Sequence, residues 1–154
     1  MNDRPDPAIR PGKEFDMERI VVGVDGSQAA RDALQWAVEE ARLRNATVDA
    51  VYAWHQPYVS GYAYMGEIDL GDFEADAKQL LDAAVDAVDA DGVAVERKLL
   101  PGAAAGSLVD EAKGASLLVV GSRGRGGFTG LLLGSVSQQV AHHATCPVVI
   151  IPAA

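Results

Sequence analysis

Five short runs of apolar, largely β-branched residues at 19–24, 47–53, 93–100, 117–121 and 147–151 alternate with segments whose apolar positions recur at helical spacing. Runs of this length read as buried strands, and the 3.6-residue stripes between them as helices. In the first helical segment Ala30, Ala33, Leu34, Ala37, Val38 and Ala41 form one face, with Arg31, Asp32, Gln35, Glu39 and Arg42 opposite. Ser27 or Asp25 caps its start, and Asn45 closes it. The second helix carries Phe73, Ala77, Leu80, Leu81, Ala84 and Val88 on its apolar side. Its acids, Asp72, Glu74, Asp76, Asp82, Asp86 and Asp89, read as a solvated face rather than a metal site. Shorter helices are expected over about 104–113 and 134–144. Strands and helices in strict alternation define an α/β fold: an open five-stranded parallel sheet with helices on both faces.

Outside this pattern lie a Pro-rich, charged segment at 1–17, read as a flexible tail, and an aromatic loop at 54–69 of a length that is usually functional. Residues 18–154 then make one domain. A net charge of −9 argues against nonspecific nucleic-acid binding. No apolar run approaches the roughly 18 residues of a membrane span, and the first residues lack the apolar core of a signal peptide. No membrane association and a cytoplasmic location are therefore the default expectations. The single cysteine, Cys146, has no internal partner and reads as buried filler.

Charge is unevenly placed. Residues 1–93 hold 8 basic and 19 acidic residues, whereas 94–154 hold 5 basic and 3 acidic, and no carboxylate side chain follows Glu111. Within that carboxylate-free part, Gly121, Gly124, Gly134 and Ser135 spell G-x2-G-x9-G-S, directly after the apolar run 117–120. A strand ending in a glycine loop that feeds a helix is the make-up of a phosphate cradle. Glycine permits positive φ and close approach of the backbone, and the helix start offers unpaired N–H groups and a positive dipole end. Arg123 and Arg125 add positive charge, and Ser135 a hydroxyl.

Parallel sheets bind ligands beyond the carboxyl ends of their strands, where strand order reverses. The loops after the first and fourth strands, 25–27 and 121–134, would meet at one cleft if those strands are neighbours. Asp25, at the tip of the first strand, reads equally as an acceptor for ribose hydroxyls and as a turn or helix-cap residue.

Better-known catalytic signatures are missing. The chain has no G-x-x-x-x-G-K-[ST], no G-x-G-x-x-G after its first strand and no G-x-S-x-G elbow. Ser27, Ser122 and Ser135 have no histidine nearby in sequence. His142 and His143, adjacent in the last helix, point to different faces and read as helix-end residues, while His55 falls in the aromatic loop. These residues suggest a site that holds a nucleotide more than one that consumes it.

From about residue 19 to 152 the chain resembles the ATP-binding branch of the universal stress protein family. The resemblance rests on Ile-Val-Val-Gly-Val-Asp-Gly-Ser at 20–27, Val-Val-Gly-Ser-Arg-Gly at 119–124, Leu-Leu-Gly-Ser-Val at 132–136 and Cys-Pro-Val-Val-Ile-Ile-Pro at 146–152. It implies a Rossmann-like sheet of strand order 3-2-1-4-5. It implies that Gly23, Val24 and Asp25 line the adenosine end with Asp25 on the ribose, and that Ala53 touches adenine. It implies that Val120, Gly121, Ser122, Arg123, Gly124, Arg125, Gly126 and Gly127 surround the phosphates, with Gly134, Ser135 and Val136 at the helix start. The implied cofactor is ATP, with Mg2+ carried on its phosphates, and AMP or cyclic AMP are the alternatives. The implied role is a nucleotide-dependent regulatory switch in a homodimer paired through 147–151, acting on an unidentified protein partner. The enzymatic alternative is weak ATP hydrolysis or autophosphorylation on Ser122, Thr129 or Ser135.

Overall fold

A computed structural model describes residues 17–54, 70–124 and 133–153. In chain order the elements are β1 (Arg19–Gly23), α1 (Gln28–Arg44), β2 (Thr47–Trp54), α2 (Leu70–Asp86), β3 (Val95–Pro101), α3 (Ala104–Glu111), β4 (Leu117–Gly121), α4 (Ser135–His143) and β5 (Val148–Ile151). The strands form one sheet of order β3-β2-β1-β4-β5, and every pairing is parallel. The expected fold and strand order are thus observed, and β1 and β4 are neighbours. The tail up to residue 16 and the aromatic loop at 55–69 lie outside the described residues, as do Arg125, Gly126, Gly127 and Thr129. Among the described residues, no helix is long and apolar enough to cross a membrane.

The period of two along each strand sorts its side chains between two cores. Ile20 and Val22 of β1, Val48 and Ala50 of β2 and Val119 of β4 face α1 and α2, with Leu34, Val38 and Leu81 among the helical residues they meet. Val21, Val51, Leu118 and Val120 face the opposite way, onto Ala105 and Leu108 of α3 and Val140 of α4. Fully burying one such side chain is worth about 1.5–3 kcal/mol, so both faces of the central strands contribute.

Local chemistry sets the ends. Ser27 Oγ accepts from the Ala30 N–H at 3.1 Å and caps α1, while Asp25 Oδ1 accepts from the Ser27 N–H at 2.8 Å and shapes the turn before it. Asn45 ends α1 in the left-handed region at φ 55°.

Several boundaries differ from expectation, each for a local reason. The third strand begins at Val95 rather than 93, because Gly92 at φ 78° turns the chain and the Val93 N–H donates back to Ala90 O at 2.8 Å. The fifth begins at Val148, because Pro147 has no N–H for the ladder, although its carbonyl accepts from Leu118 at 2.9 Å. α3 stops at Glu111, before Gly114 at φ 79°. On α2, Phe73 is 43% exposed, one turn before the first buried residue, Ala77, and Val85 joins Leu81 and Ala84 in the core.

One buried charge was not anticipated. Asp49, on β2, is 2% exposed and accepts from Arg19 Nη1 at 2.9 Å and from Lys98 Nζ at 3.0 Å. Lys98 also reaches Glu111 Oε1 at 2.5 Å. Arg19 donates further to the carbonyls of Glu111 and Lys113, each at 3.0 Å, satisfying the C-terminal end of α3. Among the described residues no buried side-chain polar atom lacks a partner.

The two edges of the sheet differ. β3 carries Glu96, Arg97 and Lys98 and ends in Pro101, with Arg97 tied to Asp82 and Asp86 of α2 at 2.8 and 2.6 Å. β5 is Val-Val-Ile-Ile, half-buried and without charge.

Candidate functional site

At the carboxyl ends of β1, β2 and β4 the sheet opens into a cleft of about 590 Å3. β1 and the turn after it supply Gly23, Val24 and Asp25, and β2 supplies Ala53. From β4 and its following turn come Val120, Gly121, Arg123 and Gly124, and from the start of α4 Gly134, Ser135 and Val136. Eleven candidate residues scattered over more than 110 positions therefore meet at one place. Arg125, Gly126 and Gly127 fall outside the described residues.

Gly121 and Gly124 are needed for space rather than for backbone freedom, since neither takes a positive φ. A Cβ on Gly121 would lie 2.8 Å from Ala29 Cβ and 2.9 Å from its backbone carbon, so β4 and the first turn of α1 could not pack as closely. A Cβ on Gly124 would overlap Oδ2 of Asp25. The loops after β1 and β4 touch at that point.

Ser122 is the exception among the candidates. It does not line the cleft, and it is 5% exposed. Its N–H donates to Ile151 O at 2.8 Å and its Oγ accepts from the Ala153 N–H at 3.0 Å. Its carbonyl accepts from the Gly134 N–H at 2.6 Å and from Ser137 Oγ at 2.9 Å. These bonds occupy Ser122 in holding the loop. Ser135, by contrast, opens onto the cleft, where its Oγ accepts from Gln139 Nε2 at 2.9 Å and keeps its own hydrogen to donate.

The cleft also includes residues the sequence did not single out. Ala104 and Leu108 of α3 form part of its wall, as do Tyr52 and Gln138. The available signal was the Pro101-Gly102 break followed by a helix start without Ser, Thr, Asp or Asn. Neither Ala103 at the start of α3 nor Gly134 at the start of α4 gives a side-chain cap, whereas α1 is capped by Ser27. Two helix starts with uncapped N–H groups thus border the same cleft.

The remaining candidate groups lie elsewhere. His142 and His143 are exposed in the last turn of α4. Cys146 is partly buried, and burial pushes its thiol up from the ordinary value. At neutral pH it is expected to react several-fold more slowly with iodoacetamide than free cysteine does, measured as adduct mass over time. Reaction faster than free cysteine would contradict this environment.

Comparison with known proteins agrees with this architecture. The model of the "Universal stress protein family" matches residues 17–152. A universal stress protein of Mycobacterium tuberculosis strain H37Rv is 37% identical over 144 residues, covering 86% of this chain and 46% of that protein. One from Mycolicibacterium smegmatis is 36% identical, covering 86% of this chain and 45% of its own length. The chain spans about half the length of these curated relatives. Among solved structures, a universal stress protein in complex with cAMP superposes with a TM-score of 0.68 at 30% identity, covering 88% of this chain and 97% of that one. The Archaeoglobus fulgidus protein in complex with dAMP gives a TM-score of 0.66 at 27% identity, covering 88% and 98%. With its sheet order, its paired loops and its sequence all in agreement, the chain belongs to the universal stress protein family.

Proposed function

We propose that this chain is a regulatory protein that binds an adenine nucleotide in the cleft between β1, β4 and the starts of α3 and α4. The observation that carries the reading is the pair of uncapped helix starts facing one cleft, in a part of the chain poor in carboxylates. Phosphate supplies the acceptors such N–H groups need, and both helix dipoles favour its charge. Arg123 and Asp25 both line the cleft, and Asp25 is the proposed acceptor for ribose hydroxyls. A volume of about 590 Å3 falls inside the range of about 300–1,000 Å3 typical of small-ligand sites. The relatives bound to cAMP and dAMP support an adenine nucleotide as the ligand class.

ATP is the preferred ligand of this reading, with AMP and cyclic AMP as competitors for the same cleft. Mg2+ would ride on the phosphates, with the Ser135 hydroxyl at the start of α4 available as a ligand. The residues described hold a ligand through backbone N–H groups and glycine-lined walls, an arrangement suited to binding and release. Slow hydrolysis or autophosphorylation is the alternative activity, and phosphate release above buffer that Asp25→Ala abolishes would favour it. The uncharged edge of β5 suits pairing with a second copy, as such edges otherwise invite aggregation.

Titration calorimetry with ATP, AMP and cyclic AMP tests the site, together with mass spectrometry of nucleotide that co-purifies. A folded Gly134→Trp variant is expected to lose binding, because the new ring occupies the start of α4. Unchanged affinity in that variant would sink the proposal.

A further inference from the structure

Ser122 joins two parts of the chain that the nucleotide reading treats separately. On one side it holds the end of β5 and the residues after it, through Ile151 O at 2.8 Å and the Ala153 N–H at 3.0 Å. On the other its carbonyl takes the Gly134 N–H at 2.6 Å and the Ser137 hydroxyl at 2.9 Å. Gly134 is the N-cap of α4 and brings no side-chain cap of its own, so this carbonyl is a principal anchor of the helix start. Ser137, 2% exposed, shares its hydroxyl hydrogen between Ser122 O and Gly134 O, which closes the arrangement into a small ring. A Cβ on Gly134 would meet Ser122 O and Arg123 Cα at 3.4 Å, in ordinary van der Waals contact.

A serine buried to 5% and bonded at its N–H, hydroxyl and carbonyl cannot reorient at one bond without disturbing the others. We infer that Ser122 is a positioning residue that couples residues 151–153, at the end of β5 and after it, to the start of α4 in the cleft. Tightening or loosening the C-terminal segment then changes the geometry offered to the ligand. By linkage, a ligand held by α4 alters the order of 151–153 by the same factor. The regulatory part rests on the nucleotide reading, whereas the mechanical coupling does not.

Ala153→Pro removes the donor while leaving the hydroxyl, Ser122→Ala removes the hydroxyl, and Ser122→Thr keeps it. Ala153 is part-exposed and lies outside both cores, so its substitution spares the fold. The first readout is amide hydrogen exchange at Gly134 and Gln138, the latter bonded to Gly134 O at 3.0 Å, with Arg31 in α1 and Ser107 in α3 as controls. Exchange at Gly134 and Gln138 is expected to rise about three- to tenfold in Ala153→Pro and Ser122→Ala, the loss of one hydrogen bond. Ser122→Thr restores it, the controls stay unchanged, and the double variant is no worse than either single one, because both break the same bond. The second readout is AMP affinity by calorimetry, expected to weaken by a similar factor. An exchange effect of Ala153→Pro confined to 150–153, or additive effects in the double variant, overturns the coupling. If the unsubstituted protein binds none of ATP, AMP and cyclic AMP, the nucleotide reading fails and the exchange result alone decides.

Discussion

Replacing Gly124 by leucine is expected to remove nucleotide binding while leaving the fold intact. Gly124 is exposed and lies outside both cores, so a side chain there disturbs no apolar packing. Its Cβ nevertheless falls on the carboxylate of Asp25, which the Ser27 N–H holds at 2.8 Å and which cannot simply swing aside. Either Asp25 leaves its turn or the loop after β4 lifts from the cleft. In both cases the ribose acceptor and the phosphate wall are no longer opposed. Losing about two charge-assisted hydrogen bonds, each worth about 1.5–3 kcal/mol, predicts at least a hundredfold weaker AMP affinity. Calorimetry measures the affinity, and a melting curve within a few degrees of the unsubstituted protein shows that folding is spared. A folded Gly124→Leu protein with unchanged affinity would mean that the two loops do not act on one ligand.

The largest expected effect on stability comes from Asp49→Ala. Asp49 is the shared acceptor of Arg19 and Lys98, and its removal leaves these two partly buried cations with Glu111 as their remaining carboxylate. Breaking a buried pair by deleting one partner costs about 3–5 kcal/mol. The lower end applies here, since the Arg19 and Lys98 side chains keep 29% and 26% of their exposure. A loss of about 3 kcal/mol lowers Tm by roughly 6–12 °C for a protein of this size. Asp49→Asn should cost less, because the amide oxygen still accepts a hydrogen bond. The pH dependence follows the same network. Bonds to Glu111 first, and then to Asp49, raise the Lys98 ammonium above its ordinary value. Its contribution is therefore complete at neutral pH and is lost as pH climbs through the raised value. A melting temperature unchanged in Asp49→Ala would contradict this account.

Much of this arrangement was legible in the order of residues because it depends on local pattern. Strands as short as Val-Val-Ile-Ile were visible from β-branched runs, and α1 from its stripe, its Ser27 and its Asn45. The G-x2-G-x9-G-S spacing located the turn after β4 and the start of α4, and the adjacency of β1 and β4 then brought Asp25 to it. What escaped depends on contacts between segments distant in the chain. Asp49 sits in a run otherwise suited to burial, and nothing near it announces that Arg19, Lys98 and Glu111 converge there. Ser122 belongs to the glycine motif by spacing, yet it follows Leu118 and Val120 by steps of two, and α4 closes over that face. Its side chain turns inward for a reason that only the packing of α4 supplies. Ala104 entered the cleft through the placement of α3, which no motif marks.

The unequal edges of the sheet carry a consequence for assembly. Where both edges can accept a strand, copies add indefinitely and a fibre results. Here the β3 margin carries Glu96, Arg97 and Lys98 and ends in a proline, features that discourage strand addition, whereas the β5 margin is uncharged. A surface that uses itself up when two copies meet about a twofold axis closes after a single event. If β5 pairs with a second copy as proposed, the sheet is lengthened once and then has no growing end.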